Sequence, residues 1–290
     1  MKTPLQKWTI KGVLSWTTKY FSQKGIDSPR LTAEYLLSHA LNLKRVELYI
    51  NYDKPLTPEE LKKFKLLIKR RLRHEPLAYI IGEHAFWSLN LEINPAVLIP
   101  RPETELVVEI AIDIVRKNCL QNPVILDWGT GSGAIALALK KELSQARVMA
   151  TDISFAALQI AQRNMVKNKL SIGLVQGKGL NLFKKGVFDM VVSNPPYIKS
   201  EDIPHLAPEV RNYEPQIALD GGKDGLKFVR YLLKEAGVYL KKRGWVIMEI
   251  GHNQAKAVQE IAQKIESWGS CNFVKDHSGI KRVVVVEKRV

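Results

Sequence analysis

The sequence predicts an α/β protein in two parts, a small all-helical bundle followed by an open, mostly parallel sheet layered with helices. Three observations carry this. Apolar residues recur at helical spacing through the first eighty or so positions. After residue 120, short apolar runs of strand type alternate with longer helical segments, the pattern of βαβ units. Those runs end on residues with ligand chemistry, and an open α/β sheet binds its ligands beyond the carboxyl ends of its strands. A chain of 290 residues, 46% apolar and 25% charged, has ample material for one large or two ordinary globular domains.

A formal charge of +15 favours an anionic partner, either nucleic acid or a protein that works on it. A merely basic, soluble surface is the other reading. Cys119 and Cys271 are the only cysteines, far apart and without histidine neighbours. They offer neither zinc spacing nor a disulfide framework, which fits the reducing cytoplasm. No apolar run approaches the roughly 18 residues of a membrane span. The opening MKTPLQKWTIKGVLSW lacks a continuous apolar core and reads as a folded helix, not a signal peptide.

In chain order, Ile10, Val13, Leu14, Thr17 and Phe21 form one helical stripe, with Gly25 as a stop. Ser28-Pro29 opens a second helix carrying Leu31, Leu36, Leu37, Ala40 and Leu41, and a short third covers 45–50. Thr57-Pro58-Glu59-Glu60 is a capping box with proline at the first helical position. The helix it opens has Leu61, Phe64, Ile68 and Leu72 on one stripe. Lys62, Lys63, Lys65, Lys69, Arg70, Arg71, Arg73 and His74 cover the rest, as a solvated face or as a docking face for an anionic surface. His39 and His74 lack any partner pattern and read as structural.

From His84 to Ile93 the period changes to alternation, with Phe86-Trp87 before it, as in a short hairpin. In Leu98-Ile99-Pro100-Arg101-Pro102-Glu103-Thr104-Glu105 two prolines force an extended approach to a helix over 103–117. This is a rigid linker into a well-charged helix start, or else it delivers Arg101 and Thr104 to a site in the following domain.

Val124 to Trp128 reads as a strand, then Gly129-Thr130-Gly131-Ser132-Gly133, then a helix from Ala134. Glycines let the backbone turn tightly and approach a ligand. Strand 147–151 ends on Asp152, whose carboxylate can accept from both hydroxyls of a ribose. A helix over 154–167 and a strand over 172–176 follow. The fourth strand, 187–192, ends on Asn194-Pro195-Pro196-Tyr197. The prolines have no N–H, so their carbonyls are acceptors without a neighbouring donor, and the asparagine offers an acceptor and an NH2. Such a set can hold a planar group bearing NH2, an amide or an amino-base. A strand end closed by a Pro-Pro turn is the plainer alternative. A helix over 224–240, a strand over 245–250, a helix over 252–268 and a closing strand at 283–286 complete the chain. Glu214 with Arg211 reads as a structural ion pair or a substrate contact, and Glu249 at a strand end is open in the same way.

Asp127-x-Gly-x-Gly-x-Gly, Asp152 and Asn194-Pro195-Pro196-Tyr197 together resemble the class I S-adenosylmethionine-dependent methyltransferases that modify planar nitrogens. Asn-Pro-Pro-Tyr alone is shared with DNA adenine and ribosomal guanine methyltransferases. The ordered series SPRLTAEYLL, HEPLAYIIGEHAFW, LIPRPETE, LDWGTGSGAIALAL, SNPPYI, ALDGGKDGL and MEIGHNQ is similar, over nearly the whole chain, to the release-factor glutamine methyltransferases of the HemK/PrmC family. LIPRPETE coupled to the helical region is the discriminating part.

The resemblance implies a Rossmann-like, seven-stranded, mostly parallel methyltransferase domain at 101–290. It also implies a helical substrate-docking domain at 1–80 and a β-hairpin linker at 81–100. The implied cofactor is S-adenosyl-L-methionine, with no metal. Gly129, Thr130, Gly131, Ser132 and Gly133 would pass under its methionine end and Asp152 would bind its ribose. Arg101 and Thr104 would close over it, with Asn194 alongside. Asn194 and the Pro195 carbonyl would accept the two hydrogens of a glutamine amide, while Pro196 and Tyr197 shape the slot. The family usually has an acidic or aromatic residue after the third strand to recognise adenine. Here Gly177-Lys178-Gly179 leaves that to the backbone or to Leu180. The implied partner is a peptide chain release factor. The basic charge leaves proximity to the ribosome or RNA open, and no membrane is involved. The competing readings are an N-methyltransferase acting on an exocyclic amino group of DNA or RNA, and a binding protein on the same fold.

Overall fold

The computed structural model describes residues 8–289, so the first seven residues of the N-terminal stretch lie outside it. The chain forms two compact units, one from the chain up to Gly82 plus Pro208–Tyr213, the other from Glu83–Ala207 plus the chain from Glu214 on.

The first unit packs α1 (Ile10–Gln23), α2 (Pro29–Leu41), α3 (Arg45–Ile50), α4 (Pro58–Arg71) and α5 (Leu77–Ile81) around one apolar core. Helix α1 begins where Thr9 accepts from the Gly12 N–H at 3.2 Å, and the five positions of its predicted stripe are all buried. Helix α4 has the expected box: Glu60 N–H donates to Thr57 Oγ1 at 3.2 Å and Thr57 N–H to Glu60 Oε2 at 2.8 Å, a cap stabilising by about 1 kcal/mol. Glu34 is buried on α2 and accepts from Arg30 at 2.6 Å, from Arg45 at 2.9 Å and from Tyr49. These partners are what let an acid stand on the buried side of α2, since an unpaired carboxylate there would be costly.

One member of the expected basic face departs from it. Arg71 is buried, with its guanidinium on Glu209. Glu209 lies on α9 (Pro208–Tyr213), a helix from much later in the chain that joins this unit. There Tyr213 also donates its hydroxyl to the Arg73 carbonyl at 2.8 Å. Periodicity within α4 cannot reveal a partner 138 residues away.

The second unit begins with the hairpin β1 (Glu83–Phe86) and β2 (Leu89–Glu92), paired from Glu83↔Glu92 to Phe86↔Leu89. The hairpin is fastened to this unit. Asn164 accepts from Glu92 N–H at 2.6 Å and donates to Glu92 O at 2.9 Å.

The sheet comprises β3 (Val124–Trp128), β4 (Arg147–Asp152), β5 (Gly173–Gln176), β6 (Phe188–Ser193), β7 (Leu240–Glu249), β8 (Trp268–Lys275) and β9 (Lys281–Lys288). Their spatial order is β5-β4-β3-β6-β7-β9-β8. Strands β3 to β7 run parallel and β9 is antiparallel to both its neighbours. The covering helices are α6 (Glu105–Lys117), α7 (Ala134–Glu142), α8 (Phe155–Lys167), α10 (Lys227–Tyr239) and α11 (Ala255–Gln263). Central strands are largely apolar because both faces are covered; β6 buries five of its six residues.

Two boundaries differ most from the sequence reading. The helix expected over 252–268 ends at Gln263, and Trp268 already opens β8, a strand the sequence did not announce. Strand β8 is an edge strand with only Trp268 buried, so it needs no alternating apolar pattern. Strand β7 starts at Leu240, five residues before the expected Trp245, with Lys241, Lys242 and Arg243 exposed.

Candidate active site

Strands β3 and β6 are neighbours, although the chain first runs from β3 through β4 and β5 on the other side. This reversal opens a crevice at their carboxyl ends. Three loops meet there. After β3, the backbone N–H groups of Gly129 and Thr130 donate to Thr151 O at 2.9 and 2.8 Å. Gly129 and Gly131 have φ of +74° and +57°, and a Cβ built on either would stand in open space. Side chains at those positions would be strained and would fill the crevice.

Asp152, at the tip of β4, accepts from Gly131 N–H and Ser154 N–H, both at 2.9 Å, and ties the glycine loop to the start of α8. Burial pushes its carboxyl above the usual carboxylate range. With its backbone donors counted, the carboxylate still has acceptor capacity for a ligand hydroxyl. Asp127, fully buried under the same loop, is pushed by burial to about 7. Its Oδ2 accepts from Thr130 Oγ1 at 2.6 Å and from Ala136 N–H at 3.2 Å. It holds the loop from below.

Asn194 follows β6, whose tip is tied to β3 by the Ser193 hydroxyl donating to Trp128 O at 2.7 Å. Asn194 Nδ2 donates to Thr104 Oγ1 at 3.0 Å, and Thr104 Oγ1 donates to Glu249 Oε2 at 2.6 Å. The Tyr197 hydroxyl bonds the same Glu249. Burial raises both Glu249 and Tyr197, so the phenol keeps its proton. Beyond the prolines the chain is pinned from beneath. Gln254 Nε2 donates to Tyr197 O at 3.0 Å and to Gly225 O at 3.2 Å, while its Oε1 accepts from Gly251 N–H at 2.8 Å.

A cavity of about 270 Å³ occupies the crevice, near the lower end of small-molecule sites. Of the residues singled out in the sequence, Thr104, Gly129, Thr130, Gly131, Ser132, Asp152, Asn194 and Pro196 line it. Five others lie elsewhere. Arg101 is paired with buried Glu214 and does not line the cavity. Gly133 caps α7 at φ +83°, and a Cβ there would stand 3.2 Å from Ala161 Cβ, so it serves helix packing. Pro195 is buried, and Tyr197 turns to Glu249. Leu180 is core, with its N–H on the Tyr231 hydroxyl at 2.9 Å, and does not reach the cavity. Gly177 and Lys178 do. The sequence reading missed the tilted pair Trp128 and Phe228, 5.7 Å apart, which closes one wall. It also missed Gln254 under the prolines. Aromatics beside the glycine loop and after GKDGL were the available signals.

Residues 12–82 match the PrmC N-terminal domain family and residues 109–209 the methyltransferase small domain family. The release factor glutamine methyltransferase of Geobacter sulfurreducens is 44% identical, over 96% of this chain and 96% of its own. That of Rhodopirellula baltica is 38% identical over 97% of each. A methyltransferase structure from Pyrococcus furiosus superposes with a TM-score of 0.53 at 22% identity, covering 77% of this chain and 98% of that one, and supports the fold alone.

Fold and crevice together define a class I S-adenosylmethionine-dependent methyltransferase. The side-chain-free cradle at Gly129 and Gly131, with the Asp152 carboxylate beside it, suits a ligand that carries a backbone-like end and a diol. Within that class, the chain belongs to the release factor glutamine methyltransferase family.

Proposed function

We propose that the protein transfers a methyl group from S-adenosylmethionine to the side-chain amide nitrogen of a glutamine in a peptide chain release factor, tuning translation termination. The observation that carries this reading is Asn194. Its NH2 is taken by Thr104, so its carbonyl oxygen is the end available to a ligand, at a cavity shared with Gly131 and Asp152.

The bound cofactor supplies an electrophilic methyl on a sulfonium. The protein's own part is to hold and aim the acceptor. An amide nitrogen is a poor nucleophile because its lone pair is delocalised. Asn194 Oδ1, at the cavity, would accept one of its hydrogens, and the backbone carbonyl of Pro195, next in the loop though off the cavity lining, the other. Together they would draw the nitrogen toward tetrahedral geometry, and the proton displaced on methylation would pass by these acceptors to solvent. This is catalysis by positioning and electrostatics. Pro196 walls the slot. Gly129 to Ser132 would hold the methionine end of the cofactor and Asp152 its ribose.

We assign the helical unit to docking of the release factor, its exposed lysines on α4 suiting an acidic surface. The net charge of +15 also suits work near the ribosome or RNA. Among the described residues no helix is long and apolar enough to cross a membrane. The substrate places the reaction in the cytoplasm.

The deciding experiment incubates the protein and cofactor with purified release factor and, separately, with DNA and RNA oligomers. A one-methyl mass gain on a release-factor glutamine is expected. Methylation of the oligomers alone would replace this reading with nucleic-acid N-methylation.

Asp152→Ala is expected to weaken cofactor binding by about 1.5–3 kcal/mol, through loss of a charge-assisted acceptor. Asp152→Asn, which keeps one acceptor oxygen for the loop, should fall between. Calorimetry showing unchanged affinity in a folded Asp152→Ala protein would remove Asp152 from the cofactor site.

A further inference from the structure

Thr104 entered as a candidate cofactor contact and Glu249 as a strand-end acid of undecided role. Their geometry gives them a joint task. The Thr104 hydroxyl has one proton. Glu249 Oε2 lies 2.6 Å away, and the Arg282 charge facing it opposes the burial that raises its pKa; an ionised Glu249 can only accept, so that proton then points at Glu249. Thr104 therefore presents only lone pairs to Asn194, and only an N–H can bond them. The 3.0 Å contact must be Asn194 Nδ2 donating. Turning the amide over would set Asn194 Oδ1 against those lone pairs, acceptor to acceptor. With Glu249 ionised, the assignment of the two amide ends thus follows from counting protons, and a protonated Glu249 would reverse it.

Glu249 is held for this task. It is 1% exposed, at the end of β7, and takes hydroxyl donors from Thr104 and Tyr197. Arg282 is the cation facing it and Glu103 the nearby like charge. Thr104, 3% exposed, is fixed in the short turn just before α6. Two buried side chains from distant parts of the chain, 145 residues apart, thus converge behind one amide.

We propose that Glu249 is a positioning residue that acts through Thr104 to hold the Asn194 amide with its carbonyl oxygen, and not its NH2, toward the acceptor nitrogen. The inference rests on the reading of Asn194 as the group that accepts from the substrate amide. It adds why that asparagine presents its acceptor end, and it moves Thr104 from the cofactor to the substrate side of the chemistry.

Thr104→Val keeps the shape and removes the hydroxyl. At saturating release factor and cofactor, its single-turnover rate is expected to fall about 10–100-fold. Cofactor affinity should stay within about two-fold, and Thr104→Ser should recover most of the rate. Adding Glu249→Gln to Thr104→Val should cost little more rate, because both changes cut one chain. A wild-type rate in Thr104→Val, a rate loss matched by lost cofactor affinity, or additive losses in the double variant would each overturn the proposal. The unsubstituted protein gives a test that requires no variant to fold. The two Asn194 side-chain amide protons should appear in nitrogen-edited NMR as a well-separated, slowly exchanging pair, and rapid rotation or exchange would overturn the assignment. If the unsubstituted enzyme fails to methylate release factor, the reading beneath falls. If it methylates and Thr104→Val does so equally well, only this inference falls.

Discussion

Asn194→Ala is expected to lower the single-turnover rate about 10²–10³-fold at saturating cofactor, the usual cost of removing one preorganised contact to a reacting group. Cofactor affinity should change by no more than about two-fold, since Gly131 and Asp152 are untouched. Stability should also be nearly kept, because Asn194 is only half-buried and its single side-chain bond is to Thr104. Asn194→Asp is the sharper comparison. It retains a carbonyl-type oxygen and so would preserve activity if the acceptor alone mattered. In this structure, however, the position facing Thr104 must be a donor, because the Thr104 proton is already given to Glu249. An aspartate would aim a second anionic oxygen at those lone pairs, one hydroxyl away from a buried carboxylate. Asn194→Asp is therefore expected to be no better than Asn194→Ala. Rapid-quench measurement with release factor decides this. An Asn194→Ala enzyme within about three-fold of the unsubstituted rate would remove the residue from the chemistry, and an aspartate much faster than alanine would show that the bond to Thr104 is dispensable.

What the sequence revealed of this fold was local. The capping box at Thr57 and Glu60, the stripe on α1 and the buried run of β6 are fixed by neighbours a few residues away, and each stands where the spacing puts it. The strand-tip positions of Gly131, Asp152 and Asn194 were legible for a related reason. In a parallel sheet every strand of one direction ends on one side, so reading three strand ends amounts to reading three residues onto one crevice.

What stayed hidden depends on partners distant in sequence. Arg71 looked like one more cation on a basic helix until Glu209 was placed beside it. Arg101 reads only against the site ahead of it, and its pairing with Glu214, 113 positions on, was not legible. The same holds for Thr104 with Glu249, a pairing between residues 145 positions apart. Strand β8 was missed for a different reason. An edge strand packs one neighbour and little core, so its sequence is released from the alternation that marks a buried strand.

Gly225→Ala is expected to be the most damaging small substitution near the site, and Gly279→Ala is its control. Both glycines sit in the left-handed region, at φ +73° and +79°. An alanine at either therefore bears the left-handed penalty of about 1–2 kcal/mol. At Gly279 nothing lies within 4 Å of the added Cβ, so that is the whole expected cost. At Gly225 the Cβ would stand 2.4 Å from the Tyr197 carbonyl oxygen and 2.7 Å from Gln254 Nε2. Backbone cannot swing aside as a flexible side chain would. Overpacking adds about 1–3 kcal/mol, for a total of about 2–5 kcal/mol. The displaced atoms are the ones that pin the prolines, because Gln254 bridges Tyr197 O and Gly225 O. A protein that survives the change should hold Asn194 out of register, turning over slowly with nearly normal cofactor affinity. Denaturant unfolding of the two variants, with single-turnover rates on whatever folds, separates the contributions. Equal stability and equal rates for Gly225→Ala and Gly279→Ala would show that the Gly225 loop gives way without moving the prolines, and that the support beneath Asn194 is softer than this packing implies.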